Sequence, residues 1–150
     1  MSIKNLLPGK IGLGGAPLGN MFRAIPEEEA HATVSEAWNL GVRYFDTAPL
    51  YGSGVLAGGE HFEYQKASAA IQQKVAQINT IATRFNVNVK AAALQFALAN
   101  PAVAAVIPGS SRPGRMAEDL AALNAPVPAE FWAEMRRQNL VAENAPLPTR

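Results

Sequence analysis

The period of the apolar positions changes several times along the chain, and each change marks an element. Residues 10–15 (KIGLGG) form a short apolar run ending in glycines, which reads as a buried strand that leaves through a loop containing Pro17, Gly19 and Pro26. Pro26 followed by Glu27, Glu28 and Glu29 is a helix start: proline fits the first turn, and carboxylates favour the positive end of the helix dipole. Ala30, Val34, Ala37, Trp38 and Leu40 then recur at three-to-four spacing, predicting a helix to about Leu40 with that stripe buried and Gly41 as its stop. Residues 42–48 read as the next strand. A strand, a helix and a strand in close succession describe a βαβ unit with parallel pairing and a right-handed crossover, so the fold class is α/β.

Glycine-rich residues 53–59 (SGVLAGG) predict an irregular connector. Residues 68–85 place Ile71, Val75, Ile78 and Ile81 or Ala82 on one face of an amphipathic helix. A turn at residues 86–88 leads into a mostly buried helix over residues 90–98, closed at Asn100-Pro101 because a residue before proline avoids helical geometry. Residues 102–107 (AVAAVI) are short, apolar and β-branched at alternate positions, as in a buried parallel strand, and Pro108 and Gly109 end them. Helices are predicted over residues 113–123 and 128–140, and the proline-rich tail over 145–150 is expected to lie loose on the surface.

Composition narrows the function more than the fold. At 150 residues, 49% of them hydrophobic and 17% charged, the chain has enough sequence for one core and one domain. Its 13 basic and 12 acidic residues leave a formal net charge of +1 with no long run of either sign, which argues against a nucleic-acid footprint or a membrane-binding face. Small-molecule chemistry is the better expectation. Without cysteine there is no disulfide, thiolate metal site or cysteine nucleophile, and no metal is expected. The first fifteen residues lack a signal-peptide pattern and no stretch has membrane-spanning length, so a cytoplasmic location is expected.

Two places carry candidate chemistry. Asp46 and Tyr51 stand where a parallel strand leaves the sheet, the edge at which α/β proteins bind ligands. A carboxylate and a phenol there suit proton delivery to the alkoxide that forms when hydride reduces a carbonyl. The alternative is structural, with Asp46 capping a turn and Tyr51 packing its ring. The second place is residues 106–119 (VIPGSSRPGRMAED), a turn from strand to helix in which Ser110, Ser111, Arg112 and Arg115 add donors suited to phosphate. Its alternative is a serine-rich helix entry with two solvated arginines.

Residues 41–52 (GVRYFDTAPLYG), with Leu-Gly-Gly-Ala-Pro-Leu-Gly before them, closely resemble the aldo-keto reductase family, particularly its sugar and pyridoxal dehydrogenase branches. The resemblance implies a TIM-type (β/α)8 barrel, an NAD or NADP cofactor and a carbonyl or alcohol substrate, with Asp46 and Tyr51 as two members of a four-residue catalytic set. Residues 106–119 resemble the family's last-strand motif, which holds the adenosine half of the cofactor. By position Ser110 and Arg115 match the family's residues near the adenosine ribose or its 2′-phosphate, Arg112 lies between them, Gly109 and Ser111 are grouped with them as cofactor-binding, and Glu118 with Asp119 matches the adenine-edge pair. Asp119 replaces the more usual asparagine, and Gly109 stands where NADP-preferring members often carry lysine, which favours NAD. Residues 53–59 resemble the loop after the family's seventh strand, which covers the cofactor pyrophosphate; a plain flexible connector is the alternative.

A whole barrel of this type needs about 250 residues, whereas residues 1–150 form a single shortened domain with three barrel-type strands, near Ile11, Phe45 and Val106. The resemblance gives residues 1–52 as the first two βα units and residues 53–150 as the C-terminal helices, last strand and cofactor loop. The three strands are expected as a partial barrel in the family order 2-1-8, with flanking helices and open sheet edges that invite self-association. The family's catalytic lysine and histidine have no counterpart, since Lys66, Lys74, His31 and His61 read as solvated surface. Activity is therefore expected to be impaired. A non-catalytic remnant or association module, and a small nucleotide-binding α/β protein, remain the alternatives.

Overall fold

Leu13, flanked by Gly12 and Gly14, and Phe45, after Val42-Arg43-Tyr44, begin the two strands that organise the first part of the molecule. The computed structural model describes residues 7–19, 23–46, 61–62, 65–66 and 68–149. The chain divides into two compact units, Met1–Gly59 with Ala104–Ala121, and Glu60–Val103 with Ala122–Arg150.

In the first unit, β1 (Leu13–Gly14) pairs in parallel with β2 (Phe45–Asp46), Leu13 opposite Phe45 and Gly14 opposite Asp46. On the other side of β1, Ile11 bridges Val106 and Gly14 bridges Gly109, again in parallel. Backbone donors alternate between the two sides, as in a central strand. Leu13 and Gly15 donate to the carbonyls of Tyr44 and Asp46 at 2.9 and 2.8 Å, while Gly12 and Gly14 donate to those of Val106 and Pro108, both at 2.9 Å. The α/β class and parallel pairing are as expected. The strand predicted over residues 102–107 is not regular, however, and contributes only the bridge at Val106, the second, at Gly109, lying beyond it. Val106 donates to the Lys10 carbonyl at 3.0 Å and Ser110 to that of Gly14 at 3.3 Å; the rung between them needs an N–H at position 108, where proline has none.

Between β1 and β2 runs α1 (Glu27–Asn39), bounded by Pro26 and Leu40 where the end signals predict. Its buried face differs from the predicted stripe. Thr33 and Ala37 are buried, whereas Val34, Trp38 and Leu40 are exposed by 39%, 54% and 41%. The smaller side chains take the inward face, and the Thr33 hydroxyl is satisfied there by donating to the Glu29 carbonyl at 2.8 Å. Trp38 is flanked instead by Phe45, whose ring stacks 6.4 Å away, and by the Arg43 guanidinium 3.8 Å from its ring centre. Among the described residues of this unit, Ile11, Leu13, Ile25, Ala37, Val42 and Met116 are the buried apolar ones.

The second unit contains a short antiparallel pair, β3 (His61–Phe62) with β4 (Gln65–Lys66), which the sequence pattern did not predict. It also contains α2 (Ala69–Arg84), α3 (Val89–Ala99) and α5 (Ala129–Arg137). The intervening helix, α4 (Arg115–Asn124), begins in the first unit and ends in the second. Ser68 caps α2 by accepting from Ile71 N–H at 3.4 Å, and Asn88 caps α3 by accepting from Lys90 and Ala91 at 2.8 and 3.4 Å. Of the face predicted on α2, only Ile81 and Ala82 are fully buried, and Val75 is 50% exposed. The core explains the difference: it forms around the last turns of α2 with Ala91, Ala92, Val127, Phe131, Trp132 and Met135. Phe131 and Trp132 meet edge to face at 4.9 Å, and Phe96 stacks on Trp132 at 5.9 Å. The proline-rich tail is not loose as expected. Arg136 donates to the Ala145 carbonyl at 2.6 Å and Leu147 packs against the core.

Candidate functional site

Gly14 has Asp46 as its neighbour on one side and Gly109 on the other, so the two candidate regions meet at the carboxyl ends of one sheet. Strands about 4.8 Å apart put Asp46 and Gly109 about 10 Å from each other. Asp46 is half-buried, with its backbone carbonyl taken by Gly15. Tyr51 and residues 53–59 lie outside the described residues. Gly109 sits against Pro17: a Cβ there would stand 2.8 Å from the proline Cγ, so the backbone at this point is set by a close approach that only glycine allows.

From Gly109 the chain turns into α4. Ser110 is fully buried and its hydroxyl donates to the Arg112 carbonyl at 3.4 Å, which directs it into the loop itself. Ser111 is half-buried, and its carbonyl accepts from Arg23 Nη2 at 2.7 Å. The same guanidinium holds Glu29, with Nη1 to Oε2 at 3.1 Å; this hydrogen bond keeps the Glu29 carboxyl below its ordinary range and raises Arg23. Gly114, at φ +83°, gives its N–H to the Glu36 carboxylate of α1.

The two arginines predicted to face phosphate share one carboxylate. Arg112 Nη2 lies 2.6 Å from Glu118 Oε1, and Arg115 Nη1 lies 3.9 Å from Glu118 Oε2. All three side chains remain open to solvent, at 46%, 43% and 44% exposure, so a ligand can reach them. Asp119, one residue on, is 2% exposed and faces the interior. The surface thus combines donors with acceptors, a set suited to hydroxyls and ring nitrogens as well as to anions.

Sequence reasoning passed over Arg23 and Glu36. They meet the loop across 88 and 78 residues, and nothing in their local pattern distinguishes them from ordinary polar positions. His31 is solvated as expected, its side chain 78% exposed and 3.5 Å from Glu27. Among the described residues no helix is long and apolar enough to cross a membrane.

Residues 10–58 and 52–139 match the aldo/keto reductase family as two overlapping stretches. The chain belongs to this family. Among curated proteins it is 51% identical over 45 residues to D-threo-aldose 1-dehydrogenase of Pseudomonas sp., 30% of this chain and 14% of that protein. It is 36% identical over 72 residues to pyridoxal 4-dehydrogenase of Microbacterium luteolum, 47% of this chain and 21% of that one. It is also 50% identical over 42 residues to L-galactose dehydrogenase of Arabidopsis thaliana, 28% of this chain and 13% of that one. The matched stretches therefore span about a fifth or less of these relatives' own length. No solved structure matches the chain.

Proposed function

We propose that the chain is an aldo/keto reductase-type oxidoreductase that carries a nicotinamide cofactor loop and half of a catalytic set, for aldose- or pyridoxal-like carbonyls and alcohols. The observation that carries this reading is the row Asp46, Gly14, Gly109 across the carboxyl ends of one parallel sheet, where α/β proteins bind ligands. Residues 1–150 are then one shortened domain, a partial (β/α)8 barrel retaining strands in the order 2-1-8. The mixed donor and acceptor surface of Ser111, Arg112, Arg115 and Glu118 fits the adenosine half of NAD or NADP, with the buried Ser110 shaping the turn and Asp119 underlying it.

When bound, the cofactor supplies the hydride. Tyr51 serves as the acid, because a phenol O–H has a proton to give to a developing alkoxide. Asp46 supports Tyr51 in that role. Without counterparts of the family's lysine and histidine, proton transfer and carbonyl orientation lack two of their supports, so cofactor binding outlasts turnover.

Titration of the full chain with NADH, NADPH and 5′-AMP, followed by turnover assays on aldoses and pyridoxal, tests the reading. Saturable binding of the dinucleotides, with slow turnover lost in Tyr51→Phe, is expected. Binding of AMP without any response to the nicotinamide end would leave a plain nucleotide-binding module instead. A second reading, a remnant that acts by associating with a second copy, is favoured by one observation: Trp38 beside β2 is 54% exposed.

A further inference from the structure

We propose that the outer stripe of α1, continued by Arg43, docks antiparallel on the same stripe of a second copy of the chain; this deepens the association reading above and rests on it. Glu27, His31, Val34 and Trp38 follow one another at three or four positions, so they lie along one line of the helix. The Glu27 and His31 side chains meet at 3.5 Å, and the Arg43 guanidinium over the Trp38 ring carries the line past the helix end. Arg43 Nη1 is held there by donating to the Trp38 and Val42 carbonyls at 2.7 and 2.8 Å. Val34 and Trp38 form the apolar middle of the stripe, and both are exposed, because α1 turns Thr33 and Ala37 inward instead.

The order of the chemistry along the stripe names the occupant. From Glu27 to Arg43 it runs acid, imidazole, aliphatic, aromatic, cation. Turned about a twofold axis at Val34, the same order becomes its own complement: Glu27 meets the second copy's Arg43, His31 meets the second copy's Trp38, and Val34 meets itself. One register serves all three pairings, since Glu27 and His31 precede Val34 by about as much as Arg43 and Trp38 follow it, and Arg43 folds back over Trp38. Among the described residues no carboxylate pairs with Arg43, so its charge is available to the second copy. A parallel pairing would instead set Glu27 on Glu27 and Arg43 on Arg43, and these like charges select the antiparallel one. A single helix face about 20 Å long is smaller than the interface of a permanent dimer, so the pair forms reversibly.

Sedimentation of the full chain at increasing concentration, with two charge reversals, tests the pairing. Glu27→Arg and Arg43→Glu are each expected to weaken self-association about tenfold, because each puts like charges together at both ends of the pair. An equimolar mixture of the two variants is expected to restore it, since every reversed charge then meets its opposite; a merely structural role for either residue would not be rescued by mixing. Thermal melts establish that the variants are folded. If one is not, Val34→Cys decides in this cysteine-free chain: mild oxidation is expected to give a covalent dimer across the twofold axis, and Val75→Cys on the exposed part of α2 to give far less. Association that neither reversal weakens, reversals that mixing does not rescue, or equal cross-linking at both cysteines overturns the α1 pairing while association through the sheet edges still stands. A chain that stays monomeric at every concentration overturns the pairing and the association reading together.

Discussion

Gly12, just before β1, lies tight against Tyr44: a Cβ there would stand 2.6 Å from Tyr44 Cδ1 and 2.9 Å from the Tyr44 carbonyl oxygen. The backbone oxygen cannot swing away as a side chain can. Gly12→Ala should therefore destabilise the chain by about 1–3 kcal/mol, whereas Gly9→Ala, with nothing within 4 Å of the added carbon, should change little in the same urea unfolding experiment. Glu134 makes a different kind of prediction. Hydrogen bonds from Arg137, Arg84 and Gln138 hold its carboxyl down from 4.5 to about 2. A carboxyl depressed on folding contributes stability above its unfolded value, and that contribution is lost as pH falls from about 4.5 through about 2. Urea midpoints measured across this window should fall more steeply for the wild-type chain than for Glu134→Gln. At this scale Asp46 and residues 106–119 were legible because they form contiguous words, while Arg23 and Glu36 were not because their partners are far away in sequence.

Helices were read almost to the residue where a local signal ends them. Asn88 at the start of α3 and Pro26 at the start of α1 act within one turn of themselves, so no other element has to be known. Asn88→Ala should cost about 1 kcal/mol in thermal or urea unfolding, since it leaves two N–H groups of α3 without their side-chain acceptor. Phe131→Ala should cost about 3–5 kcal/mol, because the ring is fully buried against Phe85 and Trp132 and its loss opens a cavity. Near-ultraviolet circular dichroism should weaken in parallel as the aromatic cluster loosens. Helix faces were read less well than helix ends. Spacing nominated Val34 and Trp38 on α1 and Val75 on α2, yet these remain exposed, because burial depends on which neighbour packs against the helix rather than on its own periodicity.

At the scale of the whole molecule, the family match falls in two stretches that overlap over residues 52–58. In the proposed partial barrel, sheet edges that a closed barrel would pair become available for association. Sedimentation velocity at micromolar concentration should accordingly show reversible dimers or larger species, reduced by Trp38→Glu on the exposed face of α1. A stable monomer whose size does not change with concentration would count against association. The Gly12 and Phe131 substitutions, one in each compact unit, also ask whether the units unfold together; coincident transitions in both variants would make them one cooperative structure.

The sequence by itself determined the α/β class, most helix boundaries, the family and the two short segments that meet at Gly14, because all of these are written in contiguous residues acting over one or two turns. The tertiary structure decided what depends on pairing across the chain. Pro108 still reads as the end of a strand, but only its place opposite Gly12 shows that it removes a rung from the sheet. Arg112 and Arg115 still read as phosphate donors, but only the fold brings both to Glu118 and sets Glu36 on Gly114, turning an apparent cationic loop into a charge-balanced one.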